Sequence, residues 1–366
     1  MNNNPELQTL LLQGIDTVEC AYYLRRRPED QADAFDFASL LVEKEHLRQQ
    51  RAKEPKAIKI AGVEFLLHSF GSGSGYPLVL SNRDFHIQCG ERNDPTFYVK
   101  FRSEALWREG AWPLHNRFMD WAFCAGLFPY RAEGLSRVDW AFDYHLPEID
   151  FNQDSFVTLS AKDAEHREDR KTQTFMFGKG DVVLRVYDKI AEIIQQSGKV
   201  WLFQLWGGIV ENVWRVEWQV RKDLLRRFGI RTFTDLRDLQ GDALRYLATE
   251  HDTLRLPNGD SNRSRWPIHP LWLDIQRQID QLDCQGVTRV IDEEKTLRER
   301  MTRMAISVHG YLKRAAAVQR ISHGEGYVSK EEALKFLSMF IERVHDPLTW
   351  HLDVEKRVEE MRLGQW

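Results

Sequence analysis

A short stretch in the middle of the chain places a tyrosine between two cations. Residues 184–190 read LRVYDKI, the pattern of a strand that enters a helix. Successive side chains of a strand alternate between its faces, so Arg185, Tyr187 and Lys189 are expected on one face. The two cations would favour a phenolate and hold a phosphate, although an ordinary strand tyrosine explains the same pattern. A catalytic site therefore requires partners from other strands.

Two other segments, residues 135–145 and 213–221, are predicted as strands with one apolar and one polar face. Their polar faces carry Arg137, Asp139, Asp143, Arg215 and Glu217. If these strands are neighbours of the tyrosine strand, the three polar faces form one surface. Carboxylates on separate strands are suitable ligands for Mg²⁺ or Mn²⁺. We predict Asp139 and Glu217 as metal ligands, with Asp143 and Glu192 as further candidates; ladders of ion pairs are the alternative.

Basic residues are concentrated between positions 215 and 231, although the formal net charge of the whole chain is −4. They could follow a phosphate backbone, whereas a solvated helix face is the alternative. The predicted DNA contacts are Arg137, Arg215, Arg221, Lys222, Arg226 and Arg227. Trp201, Trp206 and Trp214 could stack on unpaired bases, with core packing as the alternative.

The distribution of periodic segments predicts an α+β fold. Closely spaced strands between residues 14 and 101 indicate an antiparallel meander, interrupted by a helix at 32–53. After a break at residues 256–270 that is rich in Pro, Gly, Asn and Ser, the pattern is helical. We therefore predict a catalytic domain at residues 1–255, built on a curved antiparallel β-sheet with flanking helices. A mostly helical C-terminal region, residues 256–366, would bind DNA or another subunit.

Several classes of protein receive no support from the sequence. The four cysteines lie far apart, without the CxxC spacing of zinc or redox sites. No Walker motif, Gly-x-Ser-x-Gly elbow or His-x-His pair occurs. No apolar run approaches the roughly 20 residues of a membrane span, and no export signal is recognisable, so a cytoplasmic location and no membrane partner are expected.

The order of the motifs resembles the Rep_trans family of rolling-circle replication initiators, found in plasmids, phages and related mobile elements. The resemblance spans roughly residues 10 to 250 and depends most on the tyrosine motif. The matching motifs are Arg137-x-Asp139-x-x-x-Asp143, Thr174-x-x-x-Gly178, Arg185-x-Tyr187-x-Lys189-x-x-Glu192 and Arg215-x-Glu217-x-Gln219.

This resemblance implies an enzyme that nicks and rejoins one DNA strand at a specific site with Mg²⁺ or Mn²⁺. Tyr187 would be the nucleophile and would keep the 5′ phosphate, while Arg185 and Lys189 would hold it. The implied partners are origin DNA at a hairpin or single-stranded nick site, a helicase, host replication proteins and a second copy of the chain. A conjugative relaxase, a DNA-binding replication regulator without catalysis and a water-using two-metal nuclease are the alternatives.

Overall fold

The structure is a computed structural model that describes residues 8–26, 35–51, 54–168, 171–282, 293–324 and 326–362. The chain divides into two compact units, Met1–Val290 and Ile291–Trp366. The first unit combines a large antiparallel sheet with helices, and the helices of the second follow it, which confirms the predicted α+β class. The expected boundary after residue 255 falls inside the first unit, where Trp272 and Ile275 are part of the core.

The first unit contains both strands and helices, and the described elements of the second unit are helices. The strands are β1 (Thr9–Arg26), β2 (Lys56–Ile60), β3 (Val63–Leu67), β4 (Leu78–Ser81), β5 (Phe85–Cys89), β6 (Phe97–Phe101), β7 (Leu127–His145), β8 (Phe156–Thr158), β9 (Asp163–Glu168), β10 (Lys171–Phe177), β11 (Val182–Asp188), β12 (Val213–Arg221) and β13 (Asp252–Leu254). The helices of the first unit are α1 (Phe37–Gln49), α2 (Ser103–Glu109), α3 (Ala111–Cys124), α4 (Lys189–Glu192), α5 (Leu202–Leu205), α6 (Lys222–Arg227), α7 (Phe233–Tyr246) and α8 (Pro270–Asp280). Those of the second unit are α9 (Glu293–His323), α10 (Lys330–Val344) and α11 (Trp350–Arg362).

One eleven-stranded antiparallel sheet organises the first unit, in the order β2-β3-β4-β5-β6-β1-β7-β12-β11-β10-β9. The three strands predicted to carry polar faces are therefore consecutive neighbours, β7-β12-β11. Their register places Arg215 opposite Asp143 on one side and opposite Tyr187 on the other. Since paired residues of neighbouring strands point to the same face, the three polar faces form one surface. This confirms the conditional prediction from the sequence.

The opposite face of the central strands forms the hydrophobic core. Trp140, Trp218 and Val216 alternate with the polar residues and are at most 2% exposed. Helices α7 and α8 pack on this side, with the rings of Trp218 and Trp272 5.4 Å apart. Helix α8 begins at Pro270, whose fixed φ suits the first helical position. Apolar alternation thus determines which face of the sheet remains available for polar chemistry.

Some local predictions need correction. The sequence pattern of residues 57–68 predicts one strand, but the chain reverses at Ala61 and Gly62, whose φ angles are +47° and +83°. A left-handed turn favours glycine and closes the β2–β3 hairpin. The polar, charged composition of residues 161–171 predicts a loop, yet the segment contains β9, a polar edge strand paired with β10. Among the described residues, no helix combines the length and apolar character that a membrane span needs.

Candidate active site

Tyr187 lies at the centre of a hydrogen-bonded group on the polar face of β11 and β12. Its hydroxyl donates to the Glu217 carboxylate over 2.9 Å, and the other oxygen of Glu217 accepts from Arg185 at 2.9 Å. A second guanidinium nitrogen of Arg185 donates to Gln219 at 2.8 Å. Together with Arg137 and Asp139 on β7, we call this group the tyrosine cluster. It supplies a hydroxyl, a proton acceptor and two cations.

The electrostatic environment of Tyr187 differs from the sequence-based expectation. Burial of its hydroxyl, followed by the negative charge of Glu217, raises the pKa of Tyr187 well above its ordinary value. The positive charge of Arg215 lowers this pKa but is outweighed. The two cations of the motif therefore do not yield a phenolate in this state. Proton removal by Glu217 becomes necessary if the tyrosine is to act as a nucleophile.

Lys189 is directed at the tyrosine from the start of α4. Its ammonium group lies 3.5 Å from the Tyr187 hydroxyl and pairs with the Glu192 carboxylate at 2.6 Å. Burial, followed by the charge of Arg215, lowers the pKa of Lys189. Lys189 thus lies beside the hydroxyl and is only 1% exposed, whereas Arg185 is linked to the hydroxyl through Glu217.

Asp139 and Glu217 form an acidic pair within the tyrosine cluster. Arg137 donates from two nitrogens to Asp139, including a 2.8 Å bond from Nε. Even so, burial, assisted by the negative charge of Glu217, raises the pKa of Asp139 to about 6. Two carboxylates that repel each other in a partly enclosed site are a place where an added cation would be stabilising.

A second group on the same polar face is more completely buried. Arg215, which is 0% exposed, donates from two nitrogens to Asp143 at 2.6 and 2.8 Å and from a third to Asp16 at 2.7 Å. The indole nitrogen of Trp206 completes the shell by donating to Asp143 at 3.0 Å. We call this group the Arg215 cluster. Its carboxylates are saturated by internal donors.

Asp16 of β1 is a site residue that the sequence reasoning missed. It accepts from Ser103 at 2.9 Å, from the Trp107 indole at 2.8 Å and from Lys199 at 3.1 Å, besides Arg215. Burial would raise the pKa of Asp16, but the charges of Arg215 and Lys199 outweigh it and hold that pKa well below its ordinary value. An aspartate between the apolar residues Ile15 and Val18 of β1 was the available signal.

The four predicted metal ligands do not converge. The described residues contain no group of three or more His, Cys, Asp or Glu side chains arranged to hold a metal ion. Asp143 is enclosed by Arg215, and Glu192 is paired with Lys189. Asp139 and Glu217 interact electrostatically, although each is also held by an arginine, Arg137 and Arg185 respectively. Their assignment as metal ligands stays a prediction.

Gln219 adds a donor that the protein does not use. Its side chain is 2% exposed, and its oxygen accepts from Arg185, which fixes the orientation of the amide. Within the described part of the chain, its amide nitrogen has no hydrogen-bond partner. A buried N–H group without a partner costs roughly 1–3 kcal/mol. Such a group beside Arg185 is suited to an oxygen of a bound phosphate.

The predicted DNA contacts separate into two sets. Arg215 is enclosed, and Arg137 is partly buried against Asp139, so both position carboxylates in this state. The others are exposed on the end of β12 and on α6, namely Arg221, Lys222, Arg226 and Arg227. Trp206 and Trp214 are 3% and 7% exposed, so core packing explains them, as the alternative prediction stated.

Comparisons with known proteins include a structural similarity. No family model matches the chain, and no curated protein matches it. A solved structure, described as "Structure of Rolling Circle Replication Initiator Protein from Geobacillus stearothermophilus", aligns with 76% of this chain and 100% of its own. The aligned residues are 17% identical and the TM-score is 0.44. At that score the likeness carries no argument about the fold or activity of this chain.

Proposed function

We propose that this protein is a rolling-circle replication initiator that nicks and rejoins one DNA strand through Tyr187. One observation carries the proposal. The Tyr187 hydroxyl donates to the Glu217 carboxylate, which also accepts from Arg185, and the Lys189 ammonium lies 3.5 Å from the hydroxyl. A nucleophile, a proton acceptor and two cations are the groups that phosphoryl transfer to tyrosine requires. The order of the motifs in the sequence supports the same class.

In the proposed reaction, Glu217 accepts the hydroxyl proton as the Tyr187 oxygen attacks phosphorus. An oxygen–phosphorus bond forms to the tyrosine, and the bond from phosphorus to the 3′ oxygen of the preceding nucleotide breaks. The released 3′ oxygen takes a proton from solvent and becomes a hydroxyl, and Glu217 returns its proton to solvent. The 5′ phosphate remains on Tyr187, so the bond energy is kept for rejoining. Arg185 and the unused amide N–H of Gln219 would bind the phosphate oxygens.

Asp139 and Glu217 are the residues that we propose would hold Mg²⁺ or Mn²⁺. A bound divalent cation would supply charge neutralisation at the scissile phosphate. The repulsion within the acidic pair, which contributes to the raised pKa of Asp139, supports this assignment. Asp143 and Glu192 are better described as partners that position Arg215 and Lys189.

Substrate binding would use the exposed cations of β12 and α6. We propose that these side chains hold origin DNA, as a hairpin or as a single strand around the nick site. The helical second unit exposes apolar side chains such as Ile321 and Val344, which are 84% and 82% exposed. A helicase, host replication proteins or a second copy of the chain are the proposed partners for that surface. The cytoplasmic location expected from the sequence suits this role.

Incubation of the protein with Mn²⁺ and supercoiled plasmids that carry candidate origins tests the activity. A denaturing gel should show a covalent protein–DNA adduct, and mass spectrometry should find a 5′-phosphotyrosyl peptide containing residue 187. Tyr187→Phe should abolish the adduct. The matched control is Tyr130→Phe, because Tyr130 is an exposed tyrosine near the start of β7 whose hydroxyl donates to Asp94.

If wild type and Tyr187→Phe form the same adduct, the nucleophile is assigned wrongly. Cleavage by Tyr187→Phe without any adduct, together with loss of cleavage in Asp139→Ala, would instead indicate the two-metal nuclease. A conjugative relaxase would give the same adduct but on transfer-origin DNA, so the plasmid series separates it from a replication initiator.

A DNA-binding replication regulator without catalysis is the second candidate. The raised pKa of Tyr187 and the pairing of Asp139 and Glu217 with arginines are what a structural ladder of ion pairs also shows. Salt-dependent binding to origin DNA without nicking, under any divalent metal, would support this candidate.

A further inference from the structure

A pocket lined by tryptophans lies beside the Arg215 cluster, at one edge of β1. Residues 18–22 of β1 pair with β6, but in the described part of the chain no strand pairs with residues 13–15 on that side. Helix α2 and the start of α3 cover this gap incompletely. They leave a cavity of about 380 Å³ whose walls include Trp107 and Trp112.

The pocket is joined to the candidate active site through Trp107. The indole N–H of Trp107 donates to Asp16 at 2.8 Å, and the guanidinium carbon of Arg215 lies 5.5 Å from the centre of the Trp107 ring. Arg215 is in turn the register partner of Tyr187 on the neighbouring strand. Arg215 therefore lies between Trp107 and the strand that carries the proposed nucleophile.

The approach of Trp107 to the sheet depends on a glycine. A Cβ atom on Gly14 would lie 2.8 Å from the six-membered ring of Trp107, which is too close for an unshifted side chain. Glycine inside a strand commonly marks a close approach of another group. Gly14 thus allows Trp107 to lie against β1 as one wall of the pocket.

The lining of the pocket suits an aromatic ligand that carries negative charge. Its walls are apolar and aromatic, its amides are Gln13 and Gln240, and Arg237 is the charged side chain among the lining residues. The Arg237 guanidinium lies 4.9 Å from the centre of the Trp112 ring, so positive charge sits at the aromatic wall. Aromatic faces stack on bases of any sequence, whereas a cation binds the attached phosphate.

We propose that this pocket binds one unpaired nucleobase of the strand that is cleaved. The inference rests on the proposed function. A cavity of this size is at the small end of ligand sites, which span roughly 300–1,000 Å³, and accommodates one base rather than a longer segment. Stacking between Trp107 and Trp112 holds the strand while the amides of Gln13 and Gln240 contact the edge of the base.

Binding of fluorescein-labelled oligonucleotides to protein in a Tyr187→Phe background tests the pocket without the chemistry. The probes are a twelve-nucleotide oligothymidylate and an abasic oligomer of the same length. Trp112→Ala should weaken binding of the thymidylate by about 5- to 150-fold, the range for loss of one stacked base. The same variant should leave binding of the abasic oligomer unchanged, because that probe offers only its backbone.

Phe123→Ala is the matched control, since Phe123 is a 64% exposed aromatic residue on the same helix as Trp112. It should bind both probes as the parent does, and Trp112→Phe should retain most of the affinity. If Trp112→Ala loses equal affinity for both probes, or loses none, the pocket does not bind a base. That result would leave the proposed function untouched. If the parent binds neither probe at low salt, the proposed function fails as well. Unfolding curves of each variant exclude a loss of folded protein.

Discussion

The tyrosine cluster and the Arg215 cluster share one face of the sheet and are built from the same residue types. In the Arg215 cluster, both carboxylates are saturated by internal donors and the guanidinium is inaccessible to water. In the tyrosine cluster, Arg185 is about a third exposed, the acids repel each other and an amide donor is unused. Ion pairs on neighbouring strands can therefore have two roles. A cluster whose hydrogen-bonding groups are all paired fixes the geometry of the sheet, whereas a cluster with unpaired groups can bind a ligand and react.

The two clusters also place neighbouring aspartates in opposite electrostatic states. Around Asp16, the cations Arg215 and Lys199 outweigh the effect of burial, and the pKa lies well below the ordinary value. Around Asp139, burial outweighs Arg137, and the pKa rises to about 6. The difference arises from the number of cations that contact each carboxylate. An additional positive charge would therefore be stabilised more at Asp139 than at Asp16.

Replacement of Glu217 by glutamine tests the proton acceptor of the tyrosine cluster and should have the largest effect. Glutamine keeps a hydrogen-bond acceptor near Tyr187 but cannot take its proton. Loss of a general base typically costs 10²- to 10⁴-fold, so we expect adduct formation to slow by about that factor. Single-turnover kinetics with an intact oligonucleotide that contains the nick site measure the rate of adduct formation. A rate within threefold of wild type would remove Glu217 from the proton transfer.

Arg215→Met and Arg185→Met compare the two clusters directly. Removal of Arg215 leaves two buried carboxylates without their partner, which should reduce the free energy of unfolding by about 3–5 kcal/mol. Arg185 is a third exposed and its partner Glu217 keeps the Tyr187 donor, so the loss should be smaller, about 1–3 kcal/mol. Urea unfolding at neutral pH measures both. In contrast, Arg185→Met should lose phosphate binding while it remains folded, and equal stability losses would contradict the division into two clusters.

Asparagine substitutions at Asp139 and Asp16 should change the pH dependence of stability in opposite directions. Because the folded pKa of Asp139 is raised, its contribution to stability is present at low pH and is lost as the pH rises from about 4 through about 6. Asp139→Asn should therefore gain stability relative to wild type across that window, by up to about 3 kcal/mol at about 1.4 kcal/mol per pKa unit.

For Asp16 the sign is reversed. Its lowered pKa gives stability that is present above the ordinary aspartate pKa and is lost as the pH falls below it. Asp16→Asn should therefore lose stability relative to wild type at neutral pH and approach wild type in acid. Chemical denaturation between pH 3 and pH 8 checks both variants, and parallel profiles would contradict the contrast between the aspartates.

The smallest effect is expected outside both clusters. The triple variant Lys222→Ala, Arg226→Ala and Arg227→Ala should lower the salt dependence of DNA binding, by about 0.7–0.9 in the log–log slope for each phosphate that is no longer neutralised. Its folding should be unaffected because these side chains are exposed. Lys59→Ala, an exposed cation on β2, is the control. An unchanged slope would exclude α6 as the DNA surface.

Local sequence patterns predicted much of this arrangement. The strand at residues 213–221 coincides with β12, and alternation of apolar and polar residues assigned Arg137, Asp139, Arg185 and Glu217 to the face where they lie. Alternation succeeds because the side-chain period of a strand is a property of neighbouring residues.

The ion pairs between strands could not be predicted from local sequence patterns. Asp16 and Arg215 are 199 residues apart in sequence, and their contact depends on how β1, β7 and β12 are ordered in the sheet. Asp143 was predicted as a metal ligand because its side chain lies on the polar face of the sheet. The strand register, however, places it opposite Arg215, with which it forms an ion pair. The Trp107 pocket was missed because it arises where β6 stops pairing with β1, which is a property of tertiary structure.

The lengths of β1 and β7 affect how the sheet can unfold locally. These strands of 18 and 19 residues pair with each other over most of their length. One part of the ladder joins β6 and the meander, while another carries Asp16 and Asp143 beside β12. Local melting of either half would therefore have to break a shared backbone ladder. Amide protons along β1 and β7 should exchange at a single slow rate, as one cooperative folding unit.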